Sequence, residues 1–110
     1  MTGNEYQQLA MRTSRKDLTP QEHLINGVLG MAGEAGECAD YVKKHLYQGH
    51  ELEREKLAYE ISDVLWYCAE TASAIGYKLE DIFMMNVSKL AKRYADGFTA
   101  EESINRKDDK

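Results

Sequence analysis

Apolar residues return along this chain at helical spacing almost throughout, and no stretch shows the strict alternation of an exposed strand. One stripe reads Leu24, Val28, Met31, Ala35, Cys38, Val42, Leu46; a second reads Leu57, Ile61, Leu65, Cys68, Ala72, Ile75 and is close to a heptad. A third, Phe83, Val87, Leu90, Tyr94, predicts a helix from near Leu79 to near Tyr94. Tyr6, Leu9 and Ala10 form the sparse apolar side of a first helix from Gly3 to about Lys16. Thr19 and Pro20 mark the start of the long second helix. Thr19 is a good N-cap, Pro20 suits the first helical position, and Glu22 three residues after the cap completes a capping box. That helix should run to about Tyr47 and stop at Gly49. The charged connector His50–Arg54 leads into a third helix that ends near Gly76.

The expectation is therefore an all-α fold, a helical bundle of about four helices assembled as an oligomer. At 110 residues the chain is one domain, 1–110. Residues 1–18 form an N-terminal arm, 19–95 the bundle, and 96–110 a polar tail frayed over Arg106–Lys110. A chain this short buries only a modest core alone, which favours self-association.

Four glycines, Gly27, Gly30, Gly33 and Gly36, recur every third residue inside the second helix. Each costs about 0.5–1 kcal/mol against alanine, so each needs a reason. Close helix–helix packing is one; clearing space beside a ligand is the other, and Gly33 and Gly36 adjoin the acidic residues described next.

Two acidic pairs interrupt the apolar pattern: Glu34 with Glu37, and Glu60 with Asp63. Residues three apart share a helix face, so four carboxylates on two helices can converge. Two solvated acidic faces with lysine partners would be the plainer reading. Val64 and Tyr67 stand four residues after Glu60 and Asp63, and Tyr41 four after Glu37, where such lysines belong. An anionic pocket of this kind suits a hard divalent cation, Mg²⁺ with Mn²⁺ as a substitute. Asn86 lies on the apolar face of the fourth helix, with Lys89 and Arg93 on the same edge. An amide and two cations beside an acidic cleft would make a polyphosphate grip; the plainer alternatives are an Asn86 amide bonded to a neighbouring backbone carbonyl and a solvated face for Lys89 and Arg93. Trp66 is a candidate for stacking on a base, although packing suits it better, and Tyr41, Tyr47 and Tyr59 are equally open.

The net charge of −5 argues against a nucleic-acid polymer as partner. No apolar run reaches the roughly 20 residues of a membrane span, and the N-terminal residues lack a signal peptide's apolar stretch. Cys38 and Cys68 read as reduced core thiols of a cytoplasmic protein, with a disulfide between the helices as the alternative. His23, His45 and His50 form no ligand pattern and are assigned to the surface.

The order of these motifs closely resembles that of the MazG-like nucleoside triphosphate pyrophosphohydrolases. Glu34-x-x-Glu37 is followed, after twenty-two residues, by Glu60-x-x-Asp63, and then by Asn86-x-x-Lys89-x-x-x-Arg93. The likeness covers about Thr19 to Phe98. It implies a dimeric or tetrameric all-α protein that hydrolyses a nucleoside triphosphate, NTP or dNTP, to the monophosphate and pyrophosphate with Mg²⁺. By the same resemblance Glu34, Glu37, Glu60 and Asp63 hold the metal and carry catalysis, Lys89 and Arg93 contact phosphates, and Asn86 orients the nucleotide or a carboxylate. Lys56, four residues before Glu60, matches a basic position of some members, or is a plain surface lysine. Phosphoribosyl-ATP or dUTP pyrophosphohydrolysis, or non-catalytic nucleotide binding by a helical oligomer, are the alternatives. A di-iron carboxylate bundle would need Glu-x-x-His pairs, and the chain has none.

Overall fold

Five helices carry the chain: α1 (Gly3–Met11), α2 (Pro20–Tyr47), α3 (Arg54–Ala74), α4 (Leu79–Arg93) and α5 (Ala100–Ile104). The computed structural model describes residues 1–95 and 97–105, and among these there is no strand. The expected fraying of Arg106–Lys110 lies outside the described residues. Both predicted capping features at the start of α2 are present: Thr19 Oγ1 accepts from the Glu22 amide at 3.1 Å, and the Glu22 carboxylate accepts from the Thr19 amide at 2.9 Å.

Helix α1 stops at Met11 rather than at the expected Lys16. Side chains take the carbonyls that another turn would have used: Thr13 Oγ1 donates to the Ala10 carbonyl at 2.8 Å and Lys16 Nζ to the Met11 carbonyl at 2.7 Å. The tail is not wholly irregular, because Thr99 caps the short α5 by accepting from the Glu102 amide at 3.0 Å.

Helix α4 has no side-chain cap of its own. Its first amides are satisfied by α1 instead: Gln7 Oε1 accepts from Leu79 N at 2.8 Å and Asn4 Oδ1 from Glu80 N at 3.2 Å. Glu80 Oε2 accepts in return from the Asn4 amide at 2.8 Å. Helix α1 is also fixed to α3, since Trp66 Nε1 donates to the Ala10 carbonyl at 3.0 Å and to Thr13 Oγ1 at 2.9 Å.

The main packing is α2 against α3, with α1 on α3 and on α4; α4 makes no comparable contact with α2 or α3. The α2–α3 seam does not follow the apolar stripes. It runs along Gly27 and Gly30 of α2 and Tyr67, Glu70 and Thr71 of α3. Val28, Ile61, Leu65 and Phe83, members of the predicted apolar stripes, are exposed in the single chain. The expected core thiols Cys38 and Cys68 are both free and half-buried, with no disulfide between them. The buried apolar residues among those described are Ala10, Ala69, Ala72 and Leu79, a core lined largely by alanine. The radius of gyration is 16.9 Å, against about 13 Å for a closed domain of this size. The accessible surface is 8229 Å², against roughly 6,200 Å² for a folded monomer of this mass. The single chain thus leaves much of its apolar surface uncovered.

The glycines divide into two classes. A Cβ on Gly27 would meet Thr71 Oγ1 and come within 3.1 Å of the Thr71 backbone nitrogen, and a Cβ on Gly30 would strike the Tyr67 ring. Gly33 and Gly36 have nothing within 4 Å. Gly27→Ala should therefore destabilise the protein by about 1–3 kcal/mol, read by urea denaturation. Gly36→Ala should stabilise it by about 0.5–1 kcal/mol through helix propensity alone. A loss at Gly36 would show that a second copy packs there.

Candidate metal centre

Antiparallel packing of α2 on α3 sets Glu34 opposite Glu60 and Asp63. One carboxylate oxygen from each lies within 4.8 Å of the other two. Glu37, one turn further along α2, is exposed and its carboxylate stands outside this group. The structure thus brings together three of the four predicted carboxylates. Glu34 and Glu60 are half-buried and Asp63 is exposed.

The cluster lacks compensation. Among the described residues none of the four acids forms an ion pair, whereas Asp40, one turn beyond Glu37, is held by Lys44 at 3.0 Å and Lys43 at 3.6 Å. The consequence appears at Glu34. Partial burial, then the negative charges of Asp63 and Glu60, the hydrogen bond with Glu60, and the charge of Glu37 push its carboxyl above its ordinary value. Lys44 draws the Asp40 carboxyl the other way. Three oxygen donors with unrelieved repulsion fit a hard divalent cation, which prefers carboxylate ligands and would remove the repulsion.

The basic residues are placed unequally. Lys56 lies one turn before Glu60, with its ammonium 5.1 Å from the centre of the Tyr41 ring, and borders the same groove as Glu60 and Tyr59. Tyr41 itself orders the connector, its hydroxyl accepting from the Glu53 amide at 2.8 Å. Asn86, Lys89 and Arg93 all lie on α4, which meets α3 through Leu79 and Ile82 near its start but makes far less contact with the α2–α3 pair than those two helices make with each other. Asn86, expected on the apolar face, is exposed in the single chain, Lys89 is half-buried and Arg93 is buried. The Trp66 indole is committed to the seam between α1 and α3 and meets Tyr67 edge-on at 5.1 Å.

Two residues near the seam escaped the sequence reading. Burial, followed by the charges of Cys68 and Asp63, pushes the Tyr6 phenol upward, which places α1 within electrostatic reach of the cluster. Glu70 is 2% exposed and is the largest fully buried side chain. Its carboxylate faces His23 Nδ1 at 2.9 Å and accepts from Asn26 Nδ2 at 2.8 Å. The assignment of His23 to the surface is thereby corrected: it is half-buried in contact with Glu70, while His45 and His50 are exposed. A signal existed for Glu70, since it repeats the face of Asp63 seven residues on and has Trp66 and Ala74, not a cation, four residues away on either side.

A pair of long helices presenting clustered carboxylates places the chain among all-α proteins with an acidic interhelical cluster. Residues 22–98 match the MazG nucleotide pyrophosphohydrolase domain, and the chain belongs to that family. The chain is also similar to "Gene 37 protein" of Mycobacterium phage L5, at 34% identity over 89 residues covering 77% of this chain and 78% of that protein. No solved structure matches the chain significantly.

The raised Glu34 carboxyl has a definite sign in metal-free protein. Between the ordinary and the raised value the folded state binds more protons than the unfolded state, so this group's contribution to stability falls as pH rises through that window. Glu34→Gln should raise the thermal midpoint in EDTA at neutral pH, and the gain should shrink as the pH is lowered toward about 4. Carboxyls held low elsewhere, such as Asp40, act oppositely in both proteins and cancel in the difference.

Proposed function

We propose that the protein is a Mg²⁺-dependent nucleoside triphosphate pyrophosphohydrolase, converting an NTP or dNTP and water to the monophosphate and pyrophosphate. The observation that carries this reading is the convergence of Glu34, Glu60 and Asp63 across the α2–α3 seam in a chain of the MazG family. These three side chains would hold the ion, with Glu37 available from one turn away on the same helix. Mn²⁺ can substitute. When bound, Mg²⁺ neutralises charge on the phosphate oxygens and lowers the pKa of the attacking water. Glu34 or Glu37 accepts the proton of that water as it attacks the α-phosphorus. Lys56 lies at the Glu60 end of the cluster, where its ammonium can meet a phosphate oxygen. Trp66 supports the centre by holding α1 in place rather than by stacking on a base.

We propose further that the working form is a homodimer or homotetramer. Its support is the exposed apolar surface on α2, α3 and α4, including Val28, Leu29, Ile61, Leu65, Phe83 and Val87. Because α4 does not pack on α2 within one chain, Asn86, Lys89 and Arg93 reach the phosphates across such an assembly. The cytoplasm is the compartment this chemistry suits, and no helix among the described residues is long and apolar enough to cross a membrane.

A panel of NTPs and dNTPs assayed with Mg²⁺ and with EDTA tests the reaction. Magnesium-dependent release of pyrophosphate together with monophosphate is the expected result. Absence of release from every nucleotide, with binding retained, would make the protein a nucleotide-binding oligomer instead. Glu37→Gln should keep the native circular dichroism spectrum and lose turnover by at least about a hundredfold, the usual worth of a positioned acid or base. Light scattering coupled to size exclusion should give a mass at least twice that of the 12.5 kDa chain; a monomer would remove the assembly from the mechanism.

A further inference from the structure

The metal cluster is assembled from two helices, so its geometry depends on how far α2 is displaced along α3. The Thr71 and Tyr67 side chains seat against the bare backbone of Gly27 and Gly30. Glycine recurs every third residue along α2, at 27, 30, 33 and 36, so after a slip of about one turn the same two side chains would meet glycines again. Directional contacts are needed to choose one position. Glu70 supplies them. Its buried carboxylate is held by two α2 residues one turn apart, His23 at 2.9 Å and Asn26 at 2.8 Å. Two partners on one helix, gripping one carboxylate on the other, define an axial position as a single contact would not.

This node is two turns from the cluster on the same face of α3. Asp63 and Glu70 are seven residues apart, about 10.5 Å along the axis and within about 20° in rotation. His23 and Glu34 are eleven residues apart on α2 and also share a face. A slip of one helical turn would move the helices by about 5.4 Å. The three ligand oxygens lie within 4.8 Å of one another, and Mg²⁺ requires each at about 2.0–2.1 Å. Such a slip would change which of Glu34, Glu37, Glu60 and Asp63 stand opposite one another and break up the three-oxygen cluster.

We propose that Glu70, gripped by His23 and Asn26, is a positioning residue that sets the α2–α3 register on which metal binding depends. The inference rests on the reading of Glu34, Glu60 and Asp63 as the metal ligands. It assigns a use to a buried carboxylate that touches neither metal nor substrate. A buried polar node of this kind serves to select one arrangement among several, and its replacement by apolar residues is often neutral or favourable for stability.

The test is titration of the full-length protein with Mn²⁺ alone, followed by loss of the free-ion electron paramagnetic resonance signal, alongside the thermal midpoint in EDTA. Wild type should bind Mn²⁺. Glu70→Leu should keep or raise the midpoint, because His23 and Asn26 can turn to solvent, yet weaken Mn²⁺ binding by roughly tenfold to a hundredfold, the range seen for outer-sphere partners of metal ligands. Glu70→Gln should retain wild-type affinity, because its amide can donate to His23 while its carbonyl accepts from Asn26. If Glu70→Leu fails to fold, Asn26→Leu, altered at an exposed α2 position, should show the same loss of affinity. Unchanged Mn²⁺ affinity in a folded Glu70→Leu or Asn26→Leu protein would overturn the proposal. Wild type that binds no Mn²⁺ would instead overturn the metal assignment beneath it.

Discussion

Helix α3 seats Thr71 and Tyr67 against bare backbone of α2, and the rest of the molecule is arranged around that approach. It is possible because Gly27 and Gly30 present no side chain where Thr71 and Tyr67 come closest. Further along the same seam, carboxylates on the two helices share a space of under 5 Å. The two glycines and the candidate centre thus belong to one helix–helix contact.

This contact also inverts the usual allocation of surfaces. Within one chain the α2–α3 seam is lined by polar and side-chain-free positions, His23, Gly27, Gly30 and Glu34 of α2 and Glu60, Tyr67 and Glu70 of α3, with the exposed Asn26 and Asp63 at its edge. Much of the apolar stripe faces outward, and the interior is built from alanines and one leucine. Such a chain is under-buried by itself. In the proposed assembly the outward stripes become interior and the polar seam becomes a lined cleft, so the two kinds of surface are each put to use.

Much of this was readable in the residues. The 3.6-residue period located every helix longer than seven residues, and Thr19-Pro20 fixed the start of α2 because its cap chemistry is local. The i, i+3 acidic pairs were equally local, and three of their four members do converge. What periodicity could not supply was which face of each helix meets which neighbour. It put Val28, Ile61 and Leu65 on apolar stripes, and the single chain leaves them exposed, because a stripe does not say against what it packs. The partners of Glu70 lie 44 and 47 residues away, and no local rule connects them. The end of α1 was misjudged for a similar reason: Thr13 and Lys16 bind its terminal carbonyls, and side-chain capping of that kind competes with a propensity pattern that would otherwise continue.

The reciprocal bonds between α1 and α4 give the first helix a use that chain order conceals. Asn4 and Gln7 accept from the first amides of α4, and Glu80 accepts from the Asn4 amide. The same short helix is bonded to α3, through Trp66 to the Ala10 carbonyl and through Gln7 to Ser73 Oγ. Helices α3 and α4 meet each other less than each meets α1. The N-terminal helix is therefore a splint: it ties the helix bearing Lys89 and Arg93 to the helix bearing Glu60 and Asp63.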